Sequence, residues 1–379
     1  MRILIAPNTF KNSLPATEVA EAIRHGFERS HLKCQCTCFP IGDGGDGTAE
    51  LIINKQKGFI TNVEVRDPYG KKISASFGLI EDGKTAVIEM ADASGLKVLQ
   101  QVILDPLHAS SNGTGELMIH ALDKNINRII LCIGGSATVD GGSGILQALG
   151  IRFLDKEKNE LSDLPAALIN LDRIDLSVLR KKILDVKIIL LCDVESKLLG
   201  KKGSAAIFGP QKGATPEMVI KLESRLKKMR DICFAQTGED MNMVKYGGAA
   251  GGTAAGLKIL INAIPVSGIE YFLDINAFDE VLGKSDLLIT GEGSIDMQTL
   301  EGKGPFEVAR RAKQINIPVI GFAGKIPALR NPEIMKYFDE LIQISNEPDL
   351  QKALSLTAEN LELTAFQIGN RMAAAGSPL

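Results

Sequence analysis

In this 379-residue chain, acidic side chains recur beside glycines and lysines where apolar runs end. Asp43 and Asp46 punctuate GDGGDG (42–47), Asp140 lies in GGSATVDGGSG (134–144), Asp193 follows the apolar run IILLC, and Glu292 and Asp296 lie in GEGSID (291–296). Lys11, Lys212, Lys303 and Lys325 occupy comparable stretches. A glycine-rich turn feeding a helix is suited to an anion, because free backbone N–H groups and the helix dipole point at the ligand. Two carboxylates in such a turn are out of place unless a cation or an alcohol stands between them and the phosphate. A divalent ion inverts the local charge logic, and a carboxylate can orient and deprotonate an attacking alcohol. Acids for ion and alcohol, with lysines for phosphate or a substrate carboxylate, are the inventory of a small-molecule kinase.

Within that inventory, Asp193 and Asp43 are the candidate catalytic carboxylates, one for the alcohol and the other, helped by Glu292, for magnesium. Lys11, Ser136, Lys212 and Lys303 are candidates for binding phosphate or substrate, and Gly44, Gly45, Gly135, Gly291 and Gly293 for offering backbone N–H groups to a nucleotide. Local roles compete. Asp46 precedes a helix and reads first as its N-cap, and Asp140 reads equally well as a turn aspartate accepting backbone N–H bonds. Asp193, beside an apolar strand, would be costly to desolvate without a partner. GDGGDG also matches the G-x-G-x-x-G dinucleotide pattern, but a pyrophosphate there would face two carboxylates, a repulsion on the order of several kcal/mol in a poorly solvated site. The alternating acids of an EF-hand are absent, as are a P-loop and the protein-kinase loop signatures.

The elements that must position these residues follow from pattern. RILIA (2–6) reads as a buried strand, and a helix follows with Pro15 near its first turn and Val19, Ile23 and Phe27 on one face. CQCTCFPI is a second strand, and a helix over about 48–57 follows GDGGDG. Residues 60–91 alternate apolar and polar and are punctuated by DPYG and EDGK, which predicts an antiparallel meander. A helix near 114–123, strands at 128–133 and 186–192 and a long charged helix at about 216–235 continue it. Parallel character returns with DLLIT (286–290), expected to enter a loop at GEGSID, a helix near Pro305, and IPVIGFAG (317–324), expected to enter another small-residue turn. The expected fold is α/β: a discontinuous three-layer Rossmann-like parallel-sheet domain from 1–62 and 265–379, with an inserted mixed α/β domain over 63–264.

Composition narrows the partners. A net charge of −3 and pI near 5.9 give no electrostatic case for nucleic acid or an anionic membrane. No run is long enough for a spanning helix and MRILIAP is too short for a signal peptide, so a cytoplasmic location is expected. Cys34, Cys36 and Cys38 alternate onto one strand face and read as small reduced residues rather than as a metal site, which prefers paired ligands and a second cluster.

The ordered set IAPNTFKNSL, GDGGDGT, DPYG, DPL with SNGTGEL (105–117), IGGSATVDGG, CDV, IFGPQKGA, GGAAGG, SGIE, LITGEGSID and GFAG resembles the bacterial-type glycerate kinase family that includes the glycerate 2-kinases, almost end to end. The resemblance implies ATP-dependent phosphorylation of D-glycerate, usually at the 2-hydroxyl, with Mg2+, and two α/β domains. Its partners would be ATP and a small hydroxy acid, with a second copy of the chain in a homodimer left open. The family usually carries an aspartate in its first loop where this chain has Asn8, an asparagine before the aspartate of the SAT-ND-GG motif where it has Val139, an arginine in GEGRID where it has Ser294, and an asparagine–proline pair after CDV that is missing here. Those changes leave open a kinase of another hydroxy acid, a magnesium-dependent phosphatase or a non-catalytic sensor.

Overall fold

A computed structural model describes residues 1–100, 102–179, 181–296, 303–326 and 332–376. The strands in chain order are β1 (Arg2–Ile5), β2 (Gln35–Cys38), β3 (Phe59–Arg66), β4 (Lys72–Ile80), β5 (Thr85–Glu89), β6 (Arg128–Cys132), β7 (Arg152–Leu154), β8 (Arg173–Asp175), β9 (Lys187–Cys192), β10 (Ile264–Ser267), β11 (Leu287–Ser294), β12 (Val319–Lys325) and β13 (Glu340–Gln343). The chain divides into two compact units, Met1–Asp43 with Ile269–Leu379, and Gly44–Gly268.

The first unit is built on a wholly parallel sheet in the order β13-β12-β11-β1-β2. Ile3, Ile5, Leu287, Ile289, Ile320 and Phe322 form a core with Val19, Ile23 and Phe27 of the helix Ala16–Arg29 and with the helix Thr357–Ala375. The alternate residues Leu4, Leu288 and Val319 are buried too, so the sheet is covered on both faces. That is why these strands are apolar throughout rather than alternating. Two sequence expectations change here. Gly291–Ser294 and Gly321–Lys325 continue β11 and β12 instead of turning out as loops. Gly291 is extended within β11, and a Cβ there would lie 2.1 Å from the Phe322 carbonyl oxygen, so glycine serves close strand approach rather than a turn.

The second unit carries a six-stranded sheet in the order β10-β9-β6-β5-β4-β3. β3, β4 and β5 form the expected antiparallel meander, and β5, β6, β9 and β10 run parallel. The helix Thr48–Lys55 packs here: Ile53 lies where a Cβ on Gly78 of β4 would meet it at 2.2 Å. The division falls at 43/44 and 268/269, earlier and later than the expected 62/63 and 264/265, because the helix after GDGGDG buries its apolar side on the meander and β10 pairs with β9. Among the described residues, no helix is long and apolar enough to cross a membrane.

Candidate active site

In the first unit, strand order reverses between β1 and β11, the switch point where open α/β sheets bind ligands beyond their carboxyl ends. The residues just past those ends are the predicted ones. Asn8 ties them together: its N–H donates to Gly291 O at 2.8 Å and its Nδ2 donates to Asp43 Oδ2 at 2.8 Å. A Cβ on Gly304, the first residue of the helix Gly304–Gln314, would be 3.1 Å from that same Nδ2. Lys303 holds the cap position of this helix in extended backbone. Glu292 is buried in β11 opposite Ala323, and among the described residues the nearest atom to a Cβ built on Gly293 is Lys11 N at 3.6 Å, an ordinary contact. Lys11 and Lys325 are exposed at the same edge. Ser294 Oγ donates to Asp296 Oδ2 at 3.1 Å. The structure thus groups Asn8, Lys11, Asp43, Gly291, Glu292, Gly293 and Lys303 at one end of one sheet.

The second unit groups the others at the carboxyl ends of β5, β6 and β9. Asp46 is not the N-cap: Gly47 is, in left-handed backbone, and the N–H groups of Gly47 and Ala49 donate to the buried carboxylate of Glu89 at 3.0 and 3.2 Å. Lys97 Nζ bridges Glu89 at 2.8 Å and Asp92 at 2.5 Å. Burial, with Asp92 nearby, still holds the Glu89 carboxyl above the usual range against these donors. The anion that GDGGDG offers its helix start to is therefore the chain's own Glu89. Gly44 is equally committed, donating its N–H to Thr48 Oγ1 at 3.1 Å, with a Cβ there excluded by Leu191 O at 2.7 Å. Gly134 N–H donates to Gly44 O at 2.9 Å, and Asp46 extends over Gly135, whose Cβ would lie 2.2 Å from Asp46 Oδ1.

Asp140 is the turn aspartate. Fully buried, it accepts from Ser111 N–H and O–H at 2.9 and 2.6 Å and from the N–H groups of Gly142 and Gly144 at 2.9 and 3.2 Å. Lys212 is buried under the loop 134–144, donating to Ser136 Oγ at 2.9 Å and Thr138 O at 2.7 Å. Burial pulls its ammonium down to about 8, while Asp140 and Asp193 act in the opposite sense. Asp193 is half-buried immediately after β9, next to buried Cys192. Gly45, Gly135, Ser136, Asp193 and Lys212 thus belong to one region of this unit.

The sequence reading missed Glu89 as the partner of the helix start. Its signal was available: an acid closing the fully buried strand TAVIE is as anomalous as Asp193 after IILLC. Among the described residues no three His, Cys, Asp or Glu side chains come together as a metal cage, and the six cysteines are free.

A family model described as the glycerate kinase family matches residues 3–373. The glycerate kinase of Bacillus subtilis strain 168 is 41% identical over 369 residues, 97% of each chain. The glycerate 2-kinase of Escherichia coli K12 is 42% identical over 326 residues, 86% of each chain. A crystal structure of a Salmonella typhimurium LT2 chain, 40% identical, superimposes over 99% of both chains with a TM-score of 0.83. With a family match spanning nearly all of its length and relatives this similar end to end, the chain belongs to the glycerate kinase family.

Proposed function

We propose that this protein transfers the γ-phosphoryl group of MgATP to a hydroxyl of D-glycerate, the 2-hydroxyl being the expected acceptor. The observation that carries the reading is the coincidence of full-length similarity to glycerate kinases with acids and lysines gathered at strand carboxyl ends. Asp193, half-buried at the end of β9, is the group assigned to accept the proton of the attacking alcohol. Lys11 and Lys303 lie on the other sheet's carboxyl edge and are assigned to the charge of the phosphates. Ser136 and Lys212 are assigned to the substrate side, with half-buried Gly293 offering backbone on the other sheet.

The donor set fits magnesium arriving on a nucleotide. Such an ion keeps several waters and needs only one or two carboxylates beside the phosphates, so the absence of a three-ligand cage among the described residues is compatible with it. Asp43 and Glu292 are the hard oxygen donors in one unit that would hold it, and when bound it would neutralise charge developing on the phosphoryl oxygens. Gly44 and Gly291 contribute mainly by fixing the backbone, both being required for close packing, while Gly45 lies where a Cβ on Gly134 would meet its Cα at 2.5 Å.

The test is ADP release measured across a panel of small hydroxy acids, with the product's phosphate position read by NMR. Turnover of D-glycerate with 2-phosphoglycerate as product is expected. Asn8 and Ser294, where the family has a carboxylate and a guanidinium, make close hydroxy acids the natural competitors on that panel. Folded, ATP-binding protein that turns over none of them would refute the kinase reading. Asp193→Asn is expected to lower kcat by roughly 100-fold or more with the fold intact; a near-normal rate would remove Asp193 from the role of base.

A further inference from the structure

The hydrogen-bond polarity around Ser136 has a consequence for what binds there. A lysine ammonium has only donors, so the 2.9 Å bond from Lys212 Nζ obliges Ser136 Oγ to accept. The hydroxyl's own hydrogen must then donate elsewhere, and among the described residues no acceptor for it is present. The backbone adds a second donor. Gly95 and Ser136 face each other in an isolated antiparallel bridge closed by Leu96 N–H to Gly135 O at 3.0 Å and Ala137 N–H to Ser94 O at 2.9 Å. These bonds belong to the neighbours of Ser136, so the Ser136 N–H is left outside them and likewise has no acceptor among the described residues. Ser136 is 5% exposed, where an unused donor costs free energy. Lys212, at 3% exposed, holds a positive charge beneath the loop and has two of its three N–H groups committed to Ser136 and Thr138. Buried Thr138 Oγ1 also lacks a partner among the described residues.

We infer that Ser136 presents its O–H and N–H as a two-donor fork to an anionic oxygen of a substrate, and that Lys212 acts as a positioning residue that fixes the hydroxyl in its donor orientation. The inference rests on the proposed kinase reading for the identity of that oxygen: the carboxylate of the hydroxy acid or a phosphoryl oxygen of the nucleotide. Both present the same acceptor chemistry, and steady-state constants separate them.

Ser136→Ala is expected to raise KM for one substrate by ~10-fold or more while kcat changes little, and Ser136→Thr, which restores a hydroxyl, is expected to recover most of the loss. A change confined to D-glycerate identifies the carboxylate; one confined to MgATP identifies the phosphoryl group. Lys212→Met placed in the Ser136→Ala background is expected to add much less to KM than it adds alone, because its effect runs through that hydroxyl. Unchanged KM values for both substrates in Ser136→Ala overturn the inference while the kinase reading stands. Should wild type show no turnover, calorimetric titration of D-glycerate and of MgADP into wild type and Ser136→Ala decides: Ser136-dependent binding keeps the inference without the kinase, and no binding of either probe to wild type removes both.

Discussion

At the scale of single residues, buried charge is what separates functional candidates from braces. Asp140 is as buried as any carboxylate in the chain, yet four donors saturate it, so it knots the loop 134–144 to Ser111 and is left with little to offer a ligand. Lys212 is the opposite case: its two acceptors are a hydroxyl and a carbonyl, and burial pulls its ammonium from the ordinary 10.5 to about 8. Below pH of about 8 the folded protein bears the full cost of that buried charge. Between about 8 and 10.5 the unfolded chain still holds a proton that the folded chain has released, so Lys212 lets stability rise with pH across this window. The unfolding free energy of wild type minus that of Lys212→Met is expected to grow by on the order of 3 kcal/mol over the window. Urea denaturation at several pH values measures it, and a flat difference would mean that the lysine titrates normally. Asp193 and Lys212 were legible as unusual from sequence because each is a charge set against apolar or glycine-rich neighbours. The Asn8–Asp43 bond was not, since nothing local in PNTFKNS or GDGGDG says that the two loops leave adjacent parallel strands.

At the scale of elements, glycine is used for approach more than for turning. The helix Ala16–Arg29 meets the helix Thr357–Ala375 at Gly26, where a Cβ would lie 2.2 Å from Glu362 O and 2.6 Å from Ala365 Cβ. Alanine in a helix interior gains about 1 kcal/mol over glycine in propensity, whereas forcing a methyl into a packed contact costs about 1–3 kcal/mol. A backbone oxygen cannot rotate away as a side chain can, so the upper end of that cost applies and the second effect wins: Gly26→Ala is expected to destabilise by up to about 2 kcal/mol net. A thermal melt showing stabilisation would mean that the helix pair separates freely. The helix Thr48–Lys55 makes a related point. Its start reads in sequence as an anion site, and it is one, but the anion is Glu89 from the end of β5. GEGSID likewise reads as a loop because two glycines flank an acid, while the partner strand β12 draws Gly291–Ser294 into the sheet. Propensity describes the isolated segment, and pairing with a distant strand overrides it.

At the scale of the whole molecule, the second unit is continuous in sequence and contains its own six-stranded sheet and core. Residues 44–268 expressed alone are expected to unfold in one cooperative thermal transition. A fragment with helical circular dichroism but no such transition would show that its core is not self-sufficient. The parallel sheet of the other unit, by contrast, needs both chain ends, since β1 lies between β2 and β11. What the sequence determined by itself was everything carried by short-range pattern: the α/β class, the apolar parallel strands, the meander, the helix faces, and the clustering of acids and glycines after strands. These depend on periodicity and burial that a window of some ten residues already expresses. What only the tertiary structure decided was which polar group meets which: Glu89 at a helix start, Asn8 on Asp43, Asp140 saturated, and Lys212 turning Ser136 into a donor. Hydrogen bonds act over about 3 Å in space, charges over roughly 10 Å, and both are indifferent to separation along the chain. Their pairing is therefore set only when the strands take their order.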